Sequence, residues 1–300
     1  MAKKAEPKNY TLKQLETKAN DIREDIIKML EHAGSGHSAG PLGLADIFTA
    51  LYFVILKNNP KNPDWPERDI LIQSNGHCVP VRYATMAEAG YFPKKELMTL
   101  RQFGSRLQGH PERLRLPGLE TTSGPLGCGL SQACGMALAM RMDNVHTRWV
   151  YVTLGDGELD EGNVWEAAML AGKYKLNNII AIIDRNNIQI DGPTEKVMPL
   201  EDLHAKWEAF GWHVLEIDGN DIDAVIDACN MGKAIVEKPV MIIAHTVPGK
   251  GVDFMEYDFH WHGTPPGAQD IAGAPAKAQQ AKVALNELRT LGGKIRSEHE

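Results

Sequence analysis

The sequence is poor in cysteine, holding four in 300 residues. Cys78, Cys128, Cys134 and Cys229 form no Cys-x-x-Cys pair and have no histidine at finger-like spacing. Zinc ribbons and redox dithiols are therefore excluded, and reduced, partly buried thiols are expected. There is no excess of positive charge: 32 Lys and Arg stand against 39 Asp and Glu, for a formal net charge of −7, the opposite of a nucleic-acid-binding footprint. Long apolar runs are also missing. The most apolar stretch, residues 47–56, is interrupted by Thr49 and falls far short of the ~20 residues that cross a bilayer. The N-terminal residues 1–10 carry lysines with no apolar stretch behind them, so they read as neither a signal peptide nor a transit sequence, and a cytoplasmic location is expected. No Gly-x-Gly-x-x-Gly follows a strand pattern and no Gly-Lys precedes Ser or Thr, which disfavours NAD and ATP sites. A serine or cysteine nucleophile lacks its strand–turn–helix setting, since Cys128 and Ser131 fall in a glycine-rich loop and helix start.

What is present is enough apolar material, 43% of residues, for one large α/β domain or two small ones. Over residues 11–33, Leu12, Leu15, Ala19, Ile22, Ile26, Met29 and Leu30 recur at the helical spacing of three and four, with Thr11 and Gln14 suited to a capping box. Short β-rich runs follow at 69–74, 149–154, 178–184, 213–217 and 240–244. Helical patterns lie among them at 79–89, 130–143, 162–174, 200–210 and 222–236. This alternation predicts an α/β fold, a doubly wound, mainly parallel sheet flanked by helices, with ligands beyond the carboxyl ends of the strands. The first domain is expected to span residues 1–266. Residues 267–300 would be a linker and a helix, at 276–291, packing on that domain or on a partner.

The chemistry concentrates after the strand at 149–154, where Gly155-Asp156-Gly157-Glu158 follows directly. The strand at 178–184 runs into Arg185-Asn186-Asn187, so both segments end at one edge of the sheet. Gly155 and Gly157 let the backbone approach an anion closely, and the helix beginning near Gly162 offers free N–H groups to it. A diphosphate suits that position. Asp156 and the side-chain oxygen of Asn186 are hard ligands. With diphosphate oxygens, a backbone carbonyl and water they would complete an octahedron around Mg2+, with Ca2+ or Mn2+ as substitutes. Taken alone, Gly-Asp-Gly is also ordinary turn chemistry; Glu158 and Glu161 read equally as favourable partners of a helix dipole. The turn Gly249-Lys250-Gly251 and His245 either face the anion or form an exposed bend.

Gly-Asp-Gly closing on Asn-Asn about thirty residues later resembles the thiamine diphosphate signature. Further segments, in order, resemble transketolases: Ser35-Gly-His-Ser-Ala-Gly-Pro-Leu-Gly43, Ser74-Asn-Gly-His77, Gly109-His-Pro-Glu112, Gly124-Pro-Leu-Gly-Cys-Gly129 and Trp261-His-Gly263. The resemblance runs from about Thr11 to Pro266. It implies that Asp156, Asn186 and the carbonyl of Ile188 hold the metal, and that Gly157 and His262 contact the diphosphate, with His77 beside it and the reacting centre. Gly124, Pro125 and Leu126 would line the aminopyrimidine, and Glu161 would reach toward a subunit interface. His37, His77, His110 and His262 would line the substrate channel as donors and proton shuttles, a task suited to imidazole. His260 matches no family position and reads as structural.

The same resemblance implies transfer of a two-carbon ketol unit from a ketose phosphate to an aldose phosphate. In transketolases the glutamate that hydrogen-bonds the aminopyrimidine comes from a second, pyrimidine-binding domain, which also supplies most sugar-phosphate contacts. The sequence ends at Glu300 without it, as in the N-terminal subunit of split transketolases. A heterotetramer with twofold symmetry, completed by a separate C-terminal subunit, is thus expected. A 1-deoxyxylulose-phosphate synthase-like or 2-oxoacid dehydrogenase-like subunit shares the metal motif and stands as the alternative, beside a catalytically silent cofactor-binding scaffold.

Overall fold

Strand β3 (Ile179–Arg185) is buried at every position, as the centre of a sheet covered on both faces must be. The computed structural model describes residues 9–298; residues 1–8, most of the stretch read above as neither signal nor transit sequence, lie outside them. Around β3 run β1 (Ile70–Gln73), β2 (Val150–Gly155), β6 (His213–Asp218) and β7 (Val240–His245), in the order β1-β2-β3-β7-β6. All four pairings are parallel. A two-stranded antiparallel hairpin, β4 (Ile188–Gln189) with β5 (Gly192–Pro193), sits beyond the end of β3.

Alternation along the strands divides the interior in two. Leu71, Tyr151, Ile180, Ile182, Val240 and Ile242 join one core with α1 (Leu12–Ala33), α3 (Ala45–Ala50), α4 (Val79–Glu88) and α9 (Ile222–Ala234). Ile72, Val150, Val152, Ala181, Ile183 and Met241 join the other, with α5 (Cys128–Met142), α6 (Gly162–Tyr174) and α8 (Leu203–Ala209). The period of two is the pleat itself. Among the described residues no helix is long and apolar enough to cross a membrane.

The capping box on α1 is present, with Thr11 and Gln14 bonded reciprocally. The helix expected over 200–210 starts later, at Leu203, because Asp202 takes the N-cap and accepts from the Ala205 amide. The helix expected over 276–291 is α10 (Gln280–Glu298). It continues past the Gly292-Gly293 pair because Gly292 lets it close on α1: a Cβ there would stand 3.0 Å from Asn20 Nδ2, which donates to the Leu288 carbonyl. Three short helices escaped the sequence reading, α2 (Ala39–Gly43), α3 and α7 (Thr194–Val197). The glycines of α2 sit at close approaches, Gly40 against Cys78 and Gly43 against the Val247 carbonyl. The small helix α7 follows β5.

Candidate functional site

Register brings the site together. Gly155 pairs with Asp184 across β2 and β3, so Asp156 and Asn186 both lie just beyond the carboxyl edge. There a cavity of about 370 Å³ opens, walled by Asn75, Asp156, Gly157, Asp184, Asn186 and Ile188 among others. It lies where open α/β sheets bind ligands. His37, His77, His110 and His262 line it as well, as do Gly124, Leu126 and Gly155. Pro125 and Glu161 do not: both are exposed outside the cavity, Glu161 at the N-cap of α6. His245, left open above, is exposed on Glu216. Lys250 lines a different cavity against α10, and His260 is exposed on Asp258.

Asp156 is 2% exposed. One of its oxygens accepts from the Gly157 amide (2.8 Å) and the other from the Asn187 amide (2.7 Å) and Arg185 Nη1 (3.1 Å). Burial nevertheless pushes its carboxyl up to about 6. Asp184, fully enclosed, rises to about 7 by burial, although Thr246 and Asn186 hydrogen-bond it. The Asn186 amide is thereby oriented, its nitrogen on Asp184 and its oxygen accepting from the Ile188 amide at 3.0 Å. The edge therefore holds two buried carboxylates short of positive charge.

Three of the four histidines form a triangle, with ring centroids 4.8 Å (His37–His77), 5.3 Å (His77–His262) and 5.6 Å (His37–His262) apart. His110 completes the wall. Burial, followed for His37 by its neighbours His262, Arg101 and His110, lowers His37 to about 3; burial alone lowers His262 to about 4. His77 is held well below the ordinary value by burial, His37, His262 and His110, and His110 is lowered by burial and Arg101. All four are thus neutral near pH 7, each ring with one donor and one acceptor nitrogen. Nδ1 of both His37 and His262 is buried without a hydrogen-bond partner.

Glu158 corrects the expectation of a helix-dipole partner. It is 2% exposed and holds three loops at once, through the Gly127 amide (2.7 Å), the Gly155 amide (2.9 Å) and the Ser74 hydroxyl. Ser74 also accepts from the Gly129 amide. The glycine spacing in the Ser74–His77 and Gly124–Gly129 motifs follows: a Cβ on Gly76 or Gly129 would strike Ser123 or Ser74. Asn75, Cys78, Asp184, Gln189, Ile190 and Asp191 of the cavity wall were missed by the sequence reading. Asp184, the last acidic residue of its strand pattern, was the one of these with a visible signal.

The transketolase thiamine diphosphate-binding domain model matches residues 15–282. The chain is 46% identical over 242 residues to a 6-deoxy-6-sulfo-D-fructose transketolase subunit from Clostridium sp., covering 81% of this chain and 88% of that one. It is 40% identical over 284 residues to an apulose-4-phosphate transketolase subunit from Actinobacillus succinogenes, covering 94% and 99%. Among solved structures, transketolase from Campylobacter jejuni superposes with a TM-score of 0.80 at 33% identity, over 96% of this chain and 48% of that one.

Proposed function

The chain belongs to the transketolase family, as a subunit carrying the thiamine diphosphate-binding domain, and we propose that its cavity seats the cofactor diphosphate with Mg2+ across the ends of β2 and β3. The observation that carries this reading is the cation-poor edge, where Asp156 shares Arg185 with Glu195 and Glu201 and Asp184 has only neutral partners. Asp156, the Asn186 oxygen and the Ile188 carbonyl would hold a hard divalent ion there, oxygen donors of the kind Mg2+ takes together with phosphate and water. The two unpartnered imidazole nitrogens supply donors that an anion would satisfy. Gly155, Gly157, His77 and His262 face the diphosphate, and Gly124 and Leu126 the aminopyrimidine, with Pro125 holding the turn between them.

When bound, thiamine diphosphate supplies the carbanion-stabilising chemistry of ketol transfer. The chain's own part is binding, orientation and proton movement. Neutral His37, His110 and His262 hydrogen-bond the carbonyl and hydroxyls of the sugar and pass protons at those oxygens. An anion beside them raises their low proton affinity toward working pH. The ketose phosphate and aldose phosphate enter from the open side of the cavity. There Ile190 of the cavity wall, 62% exposed, leaves apolar surface for a partner to cover. That partner is a pyrimidine-domain subunit, and two of each chain form a heterotetramer with Glu161 toward the interface.

The test is ketol transfer between xylulose 5-phosphate and ribose 5-phosphate with Mg2+ and thiamine diphosphate, for this chain alone and with a candidate partner. Transfer is expected only with both chains. Transfer by this chain alone would overturn the shared site.

A further inference from the structure

Ser35-Gly36-His37 and Gly109-His110 lie on separate loops, yet both meet the same side chain. A Cβ on Gly109 would stand 2.8 Å from Arg101 Nε and 3.0 Å from Cζ and Nη2, whereas one on Gly36 would strike Leu30 Cδ2 at 2.6 Å and only touch Arg101 Nε at 3.7 Å. Nη1 reaches Ser35 Oγ at 3.4 Å. The guanidinium of this exposed residue therefore packs over Gly109, where a side chain would displace it, and bonds the Ser35 loop, with His110 next to Gly109 and His37 two residues from Ser35. The Arg101 backbone is left-handed, at φ 60°, and its amide donates to the Leu107 carbonyl at 2.9 Å, which fixes the direction of approach. Among the described residues Arg101 makes no ion pair, so no carboxylate accounts for its placement.

We propose that Arg101 is a positioning residue, a wedge whose guanidinium sets the separation and orientation of His37 and His110. The role rests on the reading of those histidines as substrate-facing. A permanently charged fork suits it, since one side of it packs against Gly109 while Nη1 donates to Ser35. Its charge also reaches both rings: with burial, and for His37 with His262 and His110, it keeps them deprotonated. The wedge thus acts in two separable ways, by shape and by charge.

Arg101→Met removes both, Arg101→Lys keeps the charge without the fork, and Gly109→Ala displaces the fork with the charge still present. Imidazole resonances of the full 15N-labelled chain report ring environment and titration, and kinetics of the enzyme assembled with its partner report function. In Arg101→Met, both His37 and His110 signals are expected to move and the His110 midpoint to rise, because a cation opposing protonation has gone. The kcat should fall on the order of tenfold with KM changed less than about twofold, as for lost orientation. Arg101→Lys should restore the midpoint but neither the ring signals nor kcat, and Gly109→Ala should shift the signals as Arg101→Met does. Unmoved ring signals would overturn the wedge. So would a KM that rises with kcat and signals unchanged, which would make Arg101 a contact for the anionic end of the substrate. Shifted signals in a chain that shows no ketol transfer with any partner would uphold the wedge and remove the proposed chemistry.

Discussion

Two buried charge clusters lie on the same molecule and are built in opposite ways. Beside α4, Glu120 accepts from both Arg68 and Arg82, and Arg82, 1% exposed, also bonds the Tyr52 hydroxyl and Gly118 carbonyl. Two guanidiniums serve one carboxylate. At the edge of β2 and β3 a single guanidinium, Arg185, is divided among Asp156, Glu195 and Glu201, while Asp184 has only neutral partners. The first cluster has cations in excess, with every Glu120 oxygen on a guanidinium and Arg82 Nη1 left buried without a partner, so it has no need of a further cation. The second is short of a cation, and burial shows it by raising both aspartates. Support and site are thus distinguished by charge balance, although both are buried and both contain arginine and carboxylate.

If that contrast is right, the two clusters should fail differently. Arg82→Ala leaves Glu120 buried with one partner lost, and such a break costs about 3–5 kcal/mol. Urea unfolding should show that loss, while cofactor affinity of the folded fraction stays near wild type. Asp156→Ala should do the reverse. Thiamine diphosphate titrated with Mg2+ by calorimetry should bind on the order of 100-fold more weakly, about 2.7 kcal/mol, while the ligand-free melting temperature holds or rises because an under-compensated charge has left the interior. A large melting loss in Asp156→Ala with intact binding would erase the distinction.

Glu158 tests the boundary between the two kinds of cluster, being buried like a support yet bonded to three loops of the site. Glu158→Gln keeps the shape but turns an amide donor toward a backbone donor at Gly127 or Gly155, where a buried unsatisfied group costs about 1–3 kcal/mol. Both stability and cofactor affinity should fall together, the affinity by roughly tenfold. Loss of one without the other would assign Glu158 wholly to support or wholly to site.

The sheet was legible because β2, β3 and β7 are continuous apolar runs bounded by turn residues, and the strand–helix alternation left one arrangement for them. Asp156 and Asn186 were legible because each directly follows a strand, and parallel register does the rest. Glu158 was not legible: a glutamate at a helix start satisfies a dipole argument equally well, and only the fold carries Ser74 and Gly127 to it. Arg101 was invisible for the same reason, since only the fold carries it to both Ser35 and Gly109. Single-residue chemistry is readable when it follows an element directly, and unreadable when loops distant in sequence build it.

The smallest effect expected is at the far edge of the sheet, where His204, Glu216 and His245 share one exposed carboxylate. The hydrogen bond that His204 Nδ1 donates to the Glu216 carboxylate, at 2.7 Å, raises His204 above its ordinary 6.5. A histidine raised by folding contributes stability that is fully present below the unfolded value and is lost as pH rises through the folded one. Stability should therefore decline slightly over the window just above pH 6.5, relative to a Glu216→Gln chain in which that slope is absent. Because His204 and Glu216 are each 41% exposed at the side chain, solvent screening limits the difference to at most about 0.5 kcal/mol. Urea titrations at pH 6 and pH 8 measure it, and 1 M salt should shrink it further. This exposed cluster is balanced by water rather than by protein or ligand, so Glu216→Gln should leave cofactor affinity where it was; a tenfold loss would mean that charge balance at the sheet edge reaches further than Asp156 and Asp184.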